Sequence, residues 1–320
     1  MATTIPISDS IPQDGATAPT FLGVVQGEIF KMIRQPVIWF AAIGAAGMAA
    51  SPSFIVAFLE RQFGTILYSD TYTQLYVDMN RSLSILRVFA GFFMIFVTAR
   101  IIGLDFQQGT LRIILARGVD RMQLVLAKML TAALAGGIVL VAGLAWAYLG
   151  TILFFRVAVG DLKFLDALTP SFWVDTRLYI LTIVISMLAT LLMTAFVTIW
   201  GRSLAFGVAA GFAFFPADNF LSSIMGGVIY PVTHNDLWLK LTTDLLGPIL
   251  NVMPVQILGT STHTVQTGKG TITAVSHAFT LGTKPYAPAD TTHIIIVLLV
   301  WCAVFLIGAL VLASRRDVTE

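Results

Sequence analysis

Six long apolar stretches divide this chain, and they limit what it can fold into more than any other feature of its sequence. A helix needs about 20 mostly apolar residues to cross a bilayer, because no water is present there to satisfy its backbone. The predicted spans are Val37–Leu59, Leu83–Gly103, Met122–Phe155, Leu178–Trp200, a segment that starts at Leu204 and weakens at Pro216, and Ile294–Ala313. Pro52 interrupts the first span, and the third is long enough to require tilt or projection from the membrane.

The composition leads to the same fold class. Hydrophobic residues make up 57% of the 320 residues and charged residues only 11%, whereas soluble domains carry roughly a quarter charged residues. The sequence therefore predicts an all-α integral membrane protein, with residues 21–320 forming a single transmembrane domain. The net charge of +2 is small, and no basic cluster is interleaved with aromatics, so nucleic-acid binding is not expected.

Two different segments precede the first span. Residues 1–20 are polar and lack the basic and apolar regions of a cleavable signal, so we expect a disordered cytoplasmic tail. Phe21–Gln35 is predicted to be an amphipathic helix lying in the membrane interface. Its apolar face holds Leu22, Val25, Ile29, Met32 and Ile33, and its polar face holds Glu28, Lys31, Arg34 and Gln35.

The distribution of Lys and Arg sets the expected orientation. The stretch from Arg112 to Lys128 is densely basic, whereas the basic residues of the opposite side are spread over long loops. Because cytoplasmic loops carry the excess of Lys and Arg, both termini are predicted to lie inside. We expect a multi-pass protein of a prokaryotic cell membrane, in contact with membrane lipids.

The inner loop Asp105–Lys128 carries the most local information. Leu111, Ile114 and Leu115 form a short apolar stripe, which predicts a short cytoplasmic helix. Gly118 suits the left-handed position just past a helix end, and Asp120 suits the N-cap of the next helix. On local physics alone, an ordinary amphipathic connector is the favoured interpretation of this stretch.

The outer region before the last span is too long for a simple turn. Asp236–Leu250 is predicted to be an amphipathic helix on the outer membrane surface. Thr262–Thr267 and Thr271–Val275 are Thr-rich runs around Gly268 and Gly270, which predict a small hairpin.

Few residues suggest chemistry. The string Thr267–Thr271 does not match a phosphate loop, which would need Gly at 263 and Ser or Thr at 270. The four histidines, all in or beside the last outer loop, match no compact metal-binding spacing, so no metal is expected. Cys302 lies in an apolar run and is expected to fill space.

Charged residues within spans usually mark function, because they are costly there. Arg87 lies one turn from the predicted outer edge of the second span, so its side chain is expected to extend to the interface. Asp218 and Asn219 follow Pro216 in the weak half of the fifth span, where they either line a transport pathway or sit at the outer interface. No deep chain of acids and bases is expected, which argues against a proton or sodium relay.

The inner loop resembles that of permease subunits of type-2 ABC exporters. Those proteins carry an acidic residue, a Gly-Thr-Leu-Arg step, a Leu/Ala-rich turn, an Arg and a Lys between their second and third spans. The matching positions are Asp105, Gly109-Thr110-Leu111-Arg112, Leu115-Ala116-Arg117-Gly118, Arg121 and Lys128. The family more often has Glu where this chain has Asp105. The overall layout of spans, termini and outer region is also similar.

The resemblance implies a mechanism. The short inner helix would be a coupling helix that docks on a separate cytoplasmic ABC ATPase, which binds ATP and Mg²⁺ and performs the hydrolysis. The chain itself would be neither an enzyme nor a holder of cofactors. The implied coupling residues are Asp105, Gly109, Thr110, Leu111, Arg112, Ile114, Leu115, Arg117 and Arg121. A second permease copy or a paralogue would complete the pathway.

Three functions therefore compete. The first is the permease of an ABC exporter, which the resemblance favours. The second is a non-transporting membrane subunit that anchors or assembles a larger complex, since a fold does not fix a function. The third is an ion-coupled secondary carrier, which would need buried ionisable residues. The cargo cannot be deduced from the apolar sequence.

Overall fold

A computed structural model of the protein describes residues 19–63, 71–160, 168–267, 270–277 and 282–315, and it is built almost entirely of helices. The helices are α1 (Phe21–Ile33), α2 (Pro36–Gly47), α3 (Ser51–Phe63), α4 (Thr71–Gln107), α5 (Thr110–Ala116), α6 (Arg121–Phe154), α7 (Pro170–Gly201), α8 (Leu204–Ile224), α9 (Tyr230–Thr233), α10 (Leu237–Leu241), α11 (Leu246–Leu258) and α12 (Thr291–Arg315). One antiparallel strand pair, β1 (Thr260–Thr267) and β2 (Gly270–His277), precedes α12. The predicted tail, residues 1–20, lies outside the described residues except at its last two positions.

Six helical segments of the described residues are long and apolar enough to cross a membrane. They are Pro36–Gln62, Thr73–Gln107, Arg121–Val157, Pro170–Gly201, Leu204–Thr233 and Thr291–Arg315. The predicted fold class, an all-α membrane protein with six spans, is confirmed. The helix α1 is also present, and its place in the membrane interface stays a prediction.

The boundaries of three spans differ from the expectation. The first span breaks just before Pro52, where Met48–Ala50 forms a 3₁₀ turn between α2 and α3. The second begins at Thr71 instead of Leu83, because its first turns carry polar residues that a hydropathy window does not include. The fifth continues through Pro216 and ends in a π-helical turn, Met225–Ile229.

The long helix α4 packs against α6, α7 and α8, and close helix approach depends on small residues. A Cβ atom on Gly207 of α8 would lie 2.2 Å from the Thr198 hydroxyl of α7. A Cβ on Gly211 would lie 2.6 Å from Ile95 of α4. Glycines spaced four apart on α8 therefore let this helix lie directly on its two neighbours.

Two ionisable residues of α4 are deeply buried, contrary to expectation. Asp78 is fully buried, and one of its oxygens accepts hydrogen bonds from Ser53 (2.7 Å) and Thr151 (2.8 Å). These bonds join the first three spans. Arg87 is only 5% exposed, so the prediction that it extends to the outer interface is wrong. The error arises because α4 starts four turns before Arg87 and the neighbouring helices cover it.

The outer region contains two helices where the sequence predicted one. The chain breaks between Leu241 and Leu246, and α11 begins after the break. Pro248 lies in the first turn of α11, where a proline removes no helical hydrogen bond, so it favours a helix start at this point. Most of the apolar face of α11 is buried against α7, α8 and α12, so the predicted helix Asp236–Leu250 on the outer surface is wrong. The predicted hairpin is confirmed at the level of its strands.

Candidate functional site

The connector between the second and third spans has the local structure that its sequence predicts. Gly109 adopts a left-handed conformation (φ 65°) and starts α5, and Gly118 adopts another (φ 82°) after its end. The Asp120 carboxylate then accepts hydrogen bonds from the backbone N–H groups of Met122 (3.0 Å) and Gln123 (3.1 Å), which caps α6. The short helix is therefore bounded by two glycines in a left-handed conformation that other residues rarely adopt.

Four charged side chains from three helices meet beside this connector. We call Glu28 and Lys31 of α1, Asp105 of α4 and Lys128 of α6 the charge cluster. Lys128 Nζ lies 2.7 Å from Glu28 Oε2, contacts Asp105 Oδ2 and donates to the carbonyl oxygen of Ile101 at 3.1 Å. Lys31 Nζ lies 2.7 Å from Glu28 Oε1 and 3.7 Å from Asp105 Oδ2. The cluster therefore contains two acids and two bases, and its formal charges cancel.

Burial makes this cluster a strong structural link. Glu28, Asp105 and Lys128 are all buried, whereas Lys31 lies at the rim with 45% of its side chain exposed. Partial burial opposes the charged form of Lys31, but its hydrogen bond to Glu28 and the charges of Glu28 and Asp105 outweigh that effect and raise its pKa. Glu28 was expected on the solvent-facing side of an amphipathic helix; it instead faces α6, because Lys128 offers it a buried partner.

Asp105 also connects the charge cluster to the start of α5. The Thr110 hydroxyl donates to Asp105 Oδ1 at 2.8 Å, and Thr110 is the first residue of α5. Asp105 thus contacts α1, α6 and α5 at once. Gly109 and Thr110 lie beside it as the sequence suggested.

The faces of α5 differ from the predicted docking stripe. Leu111, Ile114 and Leu115 are only partly exposed, whereas Ile113 is 58% exposed and Arg117 is exposed. Arg112 lies on α5, but its side chain is outside the described part of the structure. Ile113, which is not part of the predicted stripe, is the large apolar side chain that α5 exposes.

Two cavities flank α5. One of about 550 Å³ lies toward the ends of α7 and α12 and is lined by Leu111, Leu115, Arg121, Lys128 and Arg202, among others. The other, of about 570 Å³, lies toward α1 and is lined by Lys31, Arg100, Ile113, Ile114 and Arg117, among others. The short helix is therefore bordered by open space on both sides, with basic side chains in both walls.

Asp218 and Asn219 lie away from the charge cluster and hold α11. Asp218 Oδ2 accepts a hydrogen bond from the backbone N–H of Gly247 at 2.5 Å, in the first turn of α11. Asn219 Oδ1 accepts from Asn251 Nδ2 at 2.9 Å. Both side chains thus have a structural task, and a role in a pathway stays a prediction.

The residues that sequence reasoning missed had a detectable signal. Lys128 is a charge in an otherwise apolar stretch of the sequence, but its pairing with Glu28 across 100 positions cannot be deduced from helical spacing. Among the described residues, no group of three or more His, Cys, Asp or Glu could hold a metal ion.

Comparison with known proteins gives one result that covers this region. No curated protein sequence matches the chain. Residues 24–218 match the sequence model of a family described as ABC-2 family transporter protein. The match covers more than half of the chain and includes the first four spans, α5, the charge cluster and most of α8. The chain therefore belongs to the ABC-2 family of transporter proteins.

Proposed function

We propose that this protein is the permease subunit of an ABC exporter and that α5 couples it to a separate cytoplasmic ATPase. Membership of the ABC-2 family supports a membrane permease. The observation that carries the finer proposal is the position of α5. This short helix exposes Ile113, and its Thr110 binds Asp105 of α4, which also contacts α1 and α6. A force on α5 would therefore reach the bundle directly.

The charge of this end suggests the chemistry of the partner surface. Lys31, Arg34, Arg117 and Arg315 are exposed, whereas Glu28 and Asp105 are buried and neutralised in the charge cluster. Asp120 is exposed but caps α6. We therefore propose that the ATPase presents an apolar pocket for Ile113, surrounded by acidic side chains. Such rim charges would speed association and select the partner, while the apolar contact would supply most of the affinity.

ATP and Mg²⁺ would bind to the ATPase, and this chain would hydrolyse nothing. Closure of the ATPase dimer would move α5, and the charge cluster would convert that movement into a shift of α1, α4 and α6 relative to their neighbours. Two permease copies, or this chain and a paralogue, would enclose the pathway. Binding and hydrolysis of ATP at the ATPase would shift the equilibrium between two states of the permease, so that two distant sites are coupled.

A charge placed on the exposed face of α5 tests this proposal. Ile113→Asp should release the ATPase during purification in mild detergent, because a carboxylate would enter a dry contact. Arg117→Ala should weaken the association less, since an exposed ion pair contributes roughly 0–1 kcal/mol. Ile113 is a better test position than Leu115, because Leu115 is partly buried and its replacement would also disturb packing.

The measurements are co-purification of an ATP-hydrolysing subunit from native membranes and the rate of ATP turnover of the complex in vesicles. Ser314→Asp is the matched control, since it adds the same charge to an exposed position at the end of α12. If Ile113→Asp kept both the partner and full turnover, α5 would not be the coupling element. An anchoring subunit would then be the better interpretation.

A further inference from the structure

A proline in α11 leaves one backbone carbonyl without its helical partner. Pro254 lies inside α11 (Leu246–Leu258) and has no N–H group to donate. The carbonyl that would normally accept this bond, four residues earlier, belongs to Leu250. Unpaired backbone groups are especially costly in a membrane protein, where a neighbouring side chain must replace the missing donor.

Arg87 of α4 supplies that donor. Its Nη1 atom donates a hydrogen bond to the Leu250 carbonyl oxygen. Both residues are 5% exposed, so the contact is almost entirely dry. Within the described ranges, no carboxylate lies within ion-pair distance of Arg87, and its Nε atom has no hydrogen-bond partner. A buried cation held by a carbonyl is expensive, and such residues in membrane spans usually have a function.

The other polar contacts of α11 come from other parts of the chain, including a hydrogen bond from Asn251 Nδ2 to the Thr283 carbonyl oxygen (3.0 Å) in the segment before α12. Asp218 and Asn219 of α8 bind its Gly247 N–H and Asn251 side chain. Trp301 of α12 donates to the Asp244 carbonyl oxygen, just before α11, at 2.8 Å. Among the hydrogen bonds of the described residues, the bond from Arg87 ties α11 to α4, the helix that ends at the charge cluster.

Helix α4 is suited to transmit movement over that distance. It runs from Thr71 to Gln107 without a proline or an irregular turn. Arg87 and Asp105 are 18 positions apart, which is about 27 Å along a helix that rises 1.5 Å per residue. One rigid element thus carries the Asp105 contact to α5 at one end and the Arg87 contact to α11 in its middle.

We propose that Arg87 is a positioning residue through which α4 holds α11 and moves it when the charge cluster shifts. The Leu250 carbonyl freed by Pro254 is the attachment point. The functional meaning of this movement rests on the proposed coupling role of α5, but the attachment itself does not. Helix α11 would then be the element of the outer region that responds to events at α5.

The attachment is tested by a double-mutant cycle on the purified permease in nanodiscs. Arg87→Met should lower the thermal unfolding midpoint by roughly 2–4 °C, because the Leu250 carbonyl loses its donor. In a Pro254→Ala background, the alanine N–H can bond to that carbonyl, so Arg87→Met should lower the midpoint by about 1 °C or less.

Two matched controls make this cycle decisive. Pro248→Ala removes a proline from the first turn of the same helix and should leave the full effect of Arg87→Met. Arg177→Met removes an exposed arginine from α7 and should not shift the midpoint. An equal effect of Arg87→Met in the Pro254→Ala and Pro248→Ala backgrounds would overturn the assignment of Arg87 to the Leu250 carbonyl.

Transmission along α4 is tested without an ATPase or a substrate. On a Cys302→Ala background, Gln256→Cys places a thiol on the exposed side of α11, and the rate of its reaction with a polar maleimide is measured in nanodiscs. Asp105→Asn should change this rate about fivefold. Asp120→Asn, which lies at the same end but outside the charge cluster, should not.

The response should disappear when Arg87→Met and Pro254→Ala are combined, because α11 would then be stable but detached from α4. Transmission through Arg87 would be contradicted if Asp105→Asn left the labelling rate unchanged, or if it changed the rate equally in the Arg87→Met, Pro254→Ala background. Neither experiment involves the ATPase. A negative docking test with Ile113→Asp would therefore not alter these results, and failure of the docking proposal can be told apart from failure of the attachment through Arg87.

Discussion

At the scale of single residues, Lys128 is the buried centre of the charge cluster. Its side chain is 3% exposed, and its ammonium group contacts Glu28, Asp105 and the Ile101 carbonyl oxygen, so its donors are directed to three acceptors. A buried ion pair adds little stability compared with an apolar pair, but the loss of one partner leaves a charge without compensation. The loss of Lys128 would therefore destabilise the fold mainly because Glu28 and Asp105 would stay buried without a compensating charge.

Removing Lys128 should therefore be costly, and removing an acid with it should restore part of the loss. We expect Lys128→Met to lower the free energy of unfolding by about 3–5 kcal/mol, and the double variant Lys128→Met with Glu28→Gln to be clearly more stable than Lys128→Met alone. Thermal unfolding of the purified protein in detergent provides the measurement.

Arg156→Met is the control for this pair, because Arg156 is exposed at the far end of the same span and its removal should have little effect. If Lys128→Met were as well tolerated as Arg156→Met, the charge cluster would not stabilise the junction of α1, α4 and α6.

At the scale of elements, the contact between α7 and α8 depends on the absence of side chains. Gly207 lies against Thr198, and Gly211 lies against Ile95 with Thr194 nearby. Without a hydrophobic driving force between helices in lipid, close backbone approach provides much of the attraction. The fifth span is otherwise little buried within the chain, so these glycines determine much of how α8 is held.

Gly207→Ala should consequently weaken the fold even though alanine is the better helix former. The new Cβ atom would lie 2.2 Å from the Thr198 hydroxyl and 2.9 Å from its Cβ atom, which requires the helices to separate. We expect a lower unfolding midpoint by circular dichroism in nanodiscs. Gly91→Ala in α4, where a Cβ meets nothing within 4 Å, should be neutral or slightly stabilising. A midpoint for Gly207→Ala that matches Gly91→Ala would refute close packing of α8.

The sequence predicted some elements better than others, for identifiable reasons. The six spans and the turn from α5 into α6 follow from local rules, namely apolar length, left-handed glycines and an Asp cap. The start of α4 at Thr71, the burial of Glu28 and the docking of α11 do not, because each depends on a partner far away in the chain. Arg87 illustrates this limit, since its task becomes visible only when Pro254 of another helix is placed beside it.

At the scale of the whole molecule, the connectivity places the α5 region and the hairpin at opposite ends of the bundle. An even number of spans puts both termini on one side, and the basic connector between the second and third spans predicts that this side is the cytoplasm. The charge cluster, both cavities and the exposed face of α5 would then face the cell interior, and α11 and the hairpin would face outward.

Cysteine labelling in intact cells checks this orientation. On a Cys302→Ala background, a membrane-impermeant maleimide should label Val265→Cys directly and Ile113→Cys only after the cells are permeabilised. Labelling of Ile113→Cys in intact cells would invert the orientation and with it the side on which an ATPase is sought.

The cancelled charges of the cluster have a consequence for the electrical behaviour of the protein. Moving one elementary charge through the full membrane potential involves about 2.3 kcal/mol per 100 mV. Glu28, Lys31, Asp105 and Lys128 together carry no formal net charge, so a displacement of the cluster as a unit does almost no work against the membrane voltage. The Arg87 guanidinium has no such compensation among the described residues. Voltage would therefore act more on the Arg87 guanidinium than on the charge cluster, whose displacement as a unit would respond to mechanical force.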